Sequence, residues 1–272
     1  MPGNCSATDP LPLYYREYGH PDSLSPPVVL IHGLFGSGTN WHSLATRLLQ
    51  LMAENRRILV PDLRNHGQSP HHGTMTYEAM AADLAALLDR LGIAQADLVG
   101  HSLGGKAAMM LALQWPHRVR TLVVEDIAPV TYSVRFQAVF AAMHELDLGD
   151  LTSRKDAERR LAERIPNPTM RELILQNLRK TETGWIWRIN LAAISGAMEG
   201  LRRFPDCGGH HRDGPTYFVH GEHSDYVSRG QLPQMLALFP QAQIRTIPNA
   251  GHWVHADQLE AFAQVLRDLI PD

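Results

Sequence analysis

The stretch Asp97-Leu98-Val99-Gly100-His101-Ser102-Leu103-Gly104-Gly105 decides how this chain of 272 residues is read. An aliphatic run enters Gly-x-Ser-x-Gly and continues into a helical pattern from about Gly104 to Trp115, which describes a strand turning sharply into a helix with a serine on the turn. Glycine two residues before and two after the serine lets the strand and helix backbones approach closely. The turn then holds the hydroxyl at the head of the helix, where the N–H of Leu103 can donate to a developing oxyanion. Pro116 stops the helix, because it has no N–H and disfavours helix in the residue before it. Gly100 to Lys106 also satisfies the phosphate-loop spacing G-x-x-x-x-G-K, but Ala107 stands where Ser or Thr would bind magnesium. A helix-capping serine in an ordinary glycine-rich turn would leave the partners found downstream without a purpose.

Working outward, the short apolar runs Val28 to His32, Ile58 to Pro61, Leu98 to Gly100, Thr121 to Glu125, Thr216 to His220 and Gln243 to Ile247 are bounded by Gly, Pro or Asp and read as buried parallel strands. Between them Tyr77, Met80, Ala81, Leu84, Leu87, Leu88 and Leu91 recur at helical spacing, with Gly92 as the cap. A last helix is expected from near Asp257, with Glu260 completing a capping-box-like pair and Leu259, Phe262, Ala263, Leu266 and Leu269 turned inward. Strand, helix, strand repeated in this way predicts an α/β fold with a mostly parallel, doubly wound sheet and helices on both faces. The rhythm breaks between about Tyr132 and Cys207, where helix starts such as Ser153 to Asp156 occur without a clear buried strand. The expected organisation is a core of residues 1–131 and 208–272 and a helical cap, 132–207, over the C-terminal edge of the sheet, where open α/β sheets bind ligands.

Composition narrows the classes. With 44% hydrophobic residues the chain can bury a sizeable core, and a net charge of −3 with scattered Lys and Arg gives no electrostatic reason to expect nucleic acid or an anionic membrane as partner. Cys5 and Cys207 cannot build a disulfide framework, and Cys5 sits in a polar leader. The first residues lack the pattern of a signal peptide and no apolar stretch approaches the length of a membrane helix, so a cytoplasmic location is expected. Of the fifteen histidines, the pairs His71-His72 and His210-His211 stand apart from any Cys or carboxylate cluster with ligand spacing, and neither a metal nor a cofactor is expected. No heptad or repeat specifies an assembly beyond a monomer or small homo-oligomer.

The run Val28 to His32 leads into Gly33-Leu34-Phe35-Gly36-Ser37-Gly38, a loop that faces the serine turn in this topology. Its glycines free the backbone to present an N–H inward, so Leu34 N–H is assigned as the second oxyanion donor beside that of Leu103, with Phe35 the near alternative. The glycine order G-x-x-G-x-G is not that of a dinucleotide loop, and the following helix is expected to have its own cap at Thr39 or Asn40. After the final strand, Asn249-Ala250-Gly251-His252-Trp253 places His252 in a loop before the last helix and completes the order serine, acid, histidine. His252 would take the Ser102 proton during attack on an acyl carbon and return it to the leaving alcohol or thiol. His255 is expected only to bond backbone. Either of two carboxylates at the correct edge, Asp126 or Asp225, could orient the imidazole. The usual acid place after the later strand, three residues after Gly221 and three before Val227, is filled by Ser224. Leu34, Phe35, Leu103, Trp185, Trp187 and Trp253 are the candidates for an apolar substrate pocket.

The stretches His32-Gly-Leu-Phe-Gly-Ser37, Asp62-Leu-Arg-Asn-His-Gly67, Gly100-His-Ser-Leu-Gly-Gly-Lys106, Asp126-Ile-Ala-Pro-Val130 and Ala250-Gly-His-Trp-Val-His-Ala256 span nearly the whole chain, and together they resemble the YbfF-type esterases of the α/β-hydrolase fold. GHSLGG is common to many hydrolases, whereas DIAPV and GHWVHA are far more specific. The resemblance implies a triad acid after the earlier strand, which falls on Asp126, and a serine in the usual acid place, which falls on Ser224. It also implies cleavage of esters with short to medium acyl chains and of some acyl-CoA thioesters, without a cofactor. Asp225 beside Ser224 departs from the pattern and stands as the rival acid. Dehalogenases and epoxide hydrolases use an aspartate nucleophile, which Ser102 argues against. Carbon–carbon bond hydrolysis and perhydrolysis use the same residues and are the alternatives on the same triad. A low-turnover ligand-binding protein on this fold is the alternative from another class; it is opposed by Ser102, His252 and a candidate acid, since binding alone needs no nucleophile.

Overall fold

A computed structural model describes residues 9–52 and 56–271; Cys5 lies outside them. The chain runs β1 (Tyr15–Gly19), β2 (Val28–Ile31), α1 (His42–Leu51), β3 (Arg57–Pro61), α2 (Tyr77–Arg90), β4 (Ala96–His101), α3 (Leu103–Gln114) and β5 (Val119–Glu125). An inserted stretch follows, with α4 (Gln137–Glu145), α5 (Arg154–Ala162), α6 (Pro168–Leu175), β6 (Leu178–Thr181), β7 (Gly184–Trp187) and α7 (Leu191–Leu201). It returns through β8 (Thr216–Gly221), α8 (Leu232–Leu238), β9 (Gln243–Ile247), α9 (Val254–Asp257) and α10 (Leu259–Leu269). Among the described residues seven strands form one sheet in the order β1-β3-β2-β4-β5-β8-β9, parallel throughout except for β1 against β3.

The central strands are continuous apolar runs because both faces are covered. Val28 and Leu30 pack with Trp41, Leu44, Leu48, Phe262 and Leu266 on the side of α1 and α10. Val29 and Ile31, one residue out of phase, pack with Met80, Leu84, Leu88 and Met109 on the side of α2 and α3. No helix among the described residues is long and apolar enough to cross a membrane.

Several expectations need correction. β9 is an edge strand, not a buried one: only β8 pairs with it, and Gln243, Arg245 and Thr246 face solvent. The inserted stretch is not purely helical, since β6 and β7 pair as an antiparallel hairpin from Leu178↔Trp187 to Thr181↔Gly184. Neither Thr39 nor Asn40 starts α1. Ser37 opens a short 3-10 turn, Gly38–Trp41, and its N–H donates to Asn40 Oδ1 at 2.8 Å. The last helix breaks at Gln258, so Asp257 closes α9 and its carboxylate accepts the Gly251 N–H at 2.8 Å, while Glu260 pairs with Arg47 at 2.8 Å.

Among the contacts that tie the inserted stretch to the core is a buried lysine. Lys106 on α3 is 2% exposed, and its ammonium donates to the carbonyls of Val130 (2.9 Å), Arg202 (3.2 Å) and Arg203 (2.8 Å). Tyr77 on α2 adds a bond to the Leu201 carbonyl at 2.6 Å, so the carbonyl end of α7 is held from two core helices. Burial pulls Lys106 down to about 7, but an ammonium has three donors for three acceptors, and that match favours the charged form. Lys106→Met removes the ammonium from the Val130 and Arg203 carbonyls and leaves that of Arg202 to the Tyr132 N–H, and urea unfolding is expected to show a loss of about 3 kcal/mol with the far-ultraviolet spectrum retained.

Candidate active site

Ser102 joins β4 to α3 with φ 51° and ψ −114°, a conformation that non-glycine residues rarely adopt. Its neighbours impose it. A Cβ on Gly100 would lie 2.5 Å from the Gly104 carbonyl oxygen, and one on Gly104 would lie 2.5 Å from the His32 carbonyl oxygen. The Ser102 N–H donates to the Glu125 carbonyl at 3.0 Å and its own carbonyl accepts from Lys106 N–H at 3.1 Å, which seats the hydroxyl at the N-terminus of α3.

The loop after β2 lies against this turn, for a Cβ on Gly33 would stand 2.6 Å from His101 Nδ1 and 3.3 Å from Ser102 Cβ. Gly36 N–H closes the loop onto the Gly33 carbonyl at 3.0 Å, and Leu34 lies within it. His32 fixes its base: Nε2 accepts the Leu63 N–H at 3.0 Å, so Nδ1 carries the proton and donates to the Gly33 carbonyl at 2.9 Å. Burial lowers the His32 pKa, in keeping with that neutral ring. Phe35 takes φ 63° and is buried against Phe136 and Phe140, with ring centroids 5.9 and 5.1 Å away.

Asp126 follows β5 directly, fully buried, with φ 51°. Its Oδ2 lies 2.6 Å from His252 Nδ1 and accepts the Ser224 hydroxyl at 2.5 Å, while Oδ1 accepts the Gly221 N–H at 3.4 Å. Asp225 is turned outward, its side chain 74% exposed, and forms a two-point ion pair with Arg135 at 2.8 and 3.2 Å. The fold therefore gathers Asp126, His252 and Ser224, and leaves Asp225 outside the group.

Burial pushes the Asp126 carboxyl up to about 7, against the Ser224 hydroxyl and Gly221 N–H, which favour the ionised form. Burial likewise pulls His252 down to about 4, so the ring is neutral near pH 7. A carboxylate at Nδ1 selects the tautomer with the proton there, and the Nε2 lone pair is left to accept a proton. Below lies a second pair. His255, expected to bond backbone, instead sets Nδ1 2.8 and 3.0 Å from the two oxygens of Glu125, and its N–H donates to the same carboxylate at 2.9 Å. Glu125 ends a buried strand, and a buried carboxylate needs such partners.

A cleft of about 510 Å³ opens at Ser102, lined by Leu34, Leu103 and Ile127 from the core and by Tyr132, Arg135, Phe136 and Met198 from the chain after β5. Tyr77, Lys106 and Tyr226 also reach it. The other pocket candidates lie elsewhere. Phe35 sits behind Phe136, and Trp253 lines a smaller cavity of about 280 Å³ with Trp41, His101 and Leu173. Trp185 and Trp187 donate to the carbonyls of Leu151 (3.0 Å) and Met143 (3.3 Å) and pack the inserted stretch internally. Tyr132, Arg135, Phe136, Met198 and Tyr226 line the cleft without belonging to the motifs that mark the site in the sequence. Tyr226, beside Ser224 in the loop after β8, was the one with a sequence signal. No group of three His, Cys, Asp or Glu among the described residues could hold a metal.

Known proteins share this fold. Residues 26–259 match a family model described as alpha/beta hydrolase fold. The chain is 41% identical to the mouse (Mus musculus) protein named sn-1-specific diacylglycerol lipase ABHD11, over 96% of this chain and 86% of that one. It is 37% identical to Esterase YbfF of Escherichia coli (strain K12), over 90% and 93% of the two chains. A solved structure titled "Marine microorganism esterase" superposes with a TM-score of 0.89 at 33% identity, covering 96% of this chain and 100% of that one. With strand order, serine turn and sequence in agreement, the chain belongs to the α/β-hydrolase fold family and stands among its esterases and lipases.

Proposed function

We propose that the chain is a serine carboxylesterase working through an acyl-enzyme, with Ser102 as nucleophile, His252 as general base and Asp126 as the orienting acid. The observation that carries this reading is the 2.6 Å approach of the buried Asp126 carboxylate to His252 Nδ1. In the first half-reaction His252 takes the Ser102 proton, the ester carbonyl becomes tetrahedral, and the N–H groups of Leu34 and Leu103 hold its oxyanion. His252 then protonates the leaving alcohol. In the second half a water, deprotonated by the same ring, releases the acid. Residues 132–207 act as a cap, since part of the cleft wall at Ser102 comes from them.

Leu34, Ile127, Phe136 and Met198 make the cleft apolar near the serine, which suits an acyl chain of short to medium length. Acyl-CoA thioesters fit the same chemistry. The likeness to a protein named as a diacylglycerol lipase supports a second substrate class, glycerolipid esters. The test is turnover of p-nitrophenyl esters from acetate to palmitate, of acyl-CoA and of diacylglycerol, together with phosphonate labelling located by mass spectrometry. Ester turnover with the label on Ser102 is expected; no turnover across the panel and an unlabelled Ser102 would overturn the reading.

Ser224 is read as an accessory to the acid. Its hydroxyl donates to the ionised form of Asp126, so Ser224→Ala raises a carboxyl pKa that burial has already raised. The carboxylate then forms only at higher pH. The acid limb of kcat/KM is expected to move up by about one pH unit, which a pH profile on p-nitrophenyl butyrate would show.

A further inference from the structure

Asp225 and Arg135 take no part in the acyl transfer described above, yet they are joined to it through one ring. The Arg135 guanidinium carbon lies 4.3 Å from the centroid of Tyr226. Tyr226 in turn stacks on His252, with centroids 3.9 Å apart and planes 18° from parallel. Asp225 grips the guanidinium at two points. The result is a stack of three flat groups, imidazole, phenol and guanidinium, with a carboxylate holding the outermost. Tyr132 supports the middle layer by donating its hydroxyl to the Tyr226 carbonyl at 2.6 Å.

We propose that Asp225 and Arg135 are positioning residues, whose ion pair clamps Tyr226 against His252 and holds the imidazole in the plane from which it meets both Asp126 and Ser102. The inference rests on the esterase reading above. A planar guanidinium covers an aromatic face as an ammonium does not, and a carboxylate that binds it at two points fixes that plane. Two half-exposed loops, one before α4 and one after β8, are thereby fastened to each other across the base.

The clamp also carries charge. His252 is faced by Asp126 and Glu125 from the end of β5, His101 from β4, His255 and Trp253 from its own loop and α9, Ser224, Asp225 and Tyr226 from the loop after β8, and Arg135 from the chain before α4. Among these, Arg135 disfavours the imidazolium and Asp225 favours it. The two halves of the ion pair thus bias the Asp126–His252 pair, whose joint deprotonation sets the acid limb, in opposite directions, while the clamp itself is read in kcat.

The experiment is the pH profile of kcat/KM on p-nitrophenyl butyrate for wild type, Arg135→Met, Arg135→Lys and Asp225→Asn, each also checked for Ser102 labelling by a phosphonate. Arg135→Met removes a cation, so its acid limb is expected to rise by about half a pH unit; Asp225→Asn leaves the cation unopposed, so its limb is expected to fall by a similar amount. Both lose about fivefold in kcat with little change in KM, because the imidazole is less well held. Arg135→Lys restores the limb but not kcat, since it returns the charge without the flat face. A kcat unchanged in Arg135→Met and Asp225→Asn, or restored in full by Arg135→Lys, overturns the clamp, as do limbs that stay in place, while ester turnover by wild type keeps the esterase reading. A wild type without ester turnover and without a Ser102 label overturns that reading and the clamp with it.

Discussion

Ser102→Ala is expected to lower kcat on p-nitrophenyl butyrate by about a millionfold, to near the rate left by binding and the oxyanion donors alone. The size of the loss follows from the turn. Ser102 is held with φ 51° between backbones so close that neither Gly100 nor Gly104 could carry a side chain, which fixes its hydroxyl at the head of α3. Alanine keeps the backbone it replaces, so unfolding should change little and KM should stay near that of wild type. Rapid-quench kinetics would show the wild-type acyl-enzyme and none in the variant. Residual kcat within about a hundredfold of wild type would mean that another group attacks the ester.

Asp126→Asn is expected to cost about ten-thousandfold in kcat. The carboxylate has three donors around its two oxygens: His252 Nδ1–H, the Ser224 hydroxyl and the Gly221 N–H. Asparagine offers one oxygen; with it on the Gly221 N–H, the NH₂ takes the Oδ2 place and donates toward both the ring and the Ser224 hydroxyl oxygen. The imidazole then accepts at Nδ1, places its proton on Nε2, and presents no lone pair to Ser102. Folding is not the confounder here, because asparagine tolerates the left-handed φ of 51° better than most residues. The contrast with Asp225→Asn, about fivefold by the clamp argument, separates the two carboxylates by about three orders of magnitude in one assay.

Sequence pattern alone reached the serine turn, because its chemistry is local: the glycines, the strand before and the helix after are all within one short stretch. The buried central strands were equally legible, since covering both faces of a sheet leaves only apolar positions. β1 was not, because an edge strand of half-buried and exposed positions that carries Arg16 and Glu17 has no apolar run to announce it. The hairpin of β6 and β7 was hidden in the same way by Arg179 and Lys180. The choice between Asp126 and Asp225 could not come from spacing, as both follow strands that end at the same edge of the sheet; only the family likeness decided it. In the folded chain the choice is made by remote partners, Gly221 and Ser224 for one carboxylate and Arg135 for the other. The tryptophans of the inserted stretch illustrate the converse, for hydrophobic residues in a short helical segment do not reveal which neighbour their ring will meet.

The pairing of β5 with β8 has a consequence for how such chains can change. The two strands bond directly, from Leu122↔Thr216 to Glu125↔Val219, so the sheet is complete whatever joins them. Any connection long enough to cross from the head of one parallel strand to the foot of the next meets the needs of the scaffold. The inserted chain is then fastened back to the core at separate points: the carbonyl end of its last helix at Lys106 and Tyr77, Asn190 at Asn65, and Asn177 at the Phe35 carbonyl. Chain segments of other sequence can therefore be exchanged between these two strands without breaking the sheet, provided that each brings partners for those anchors.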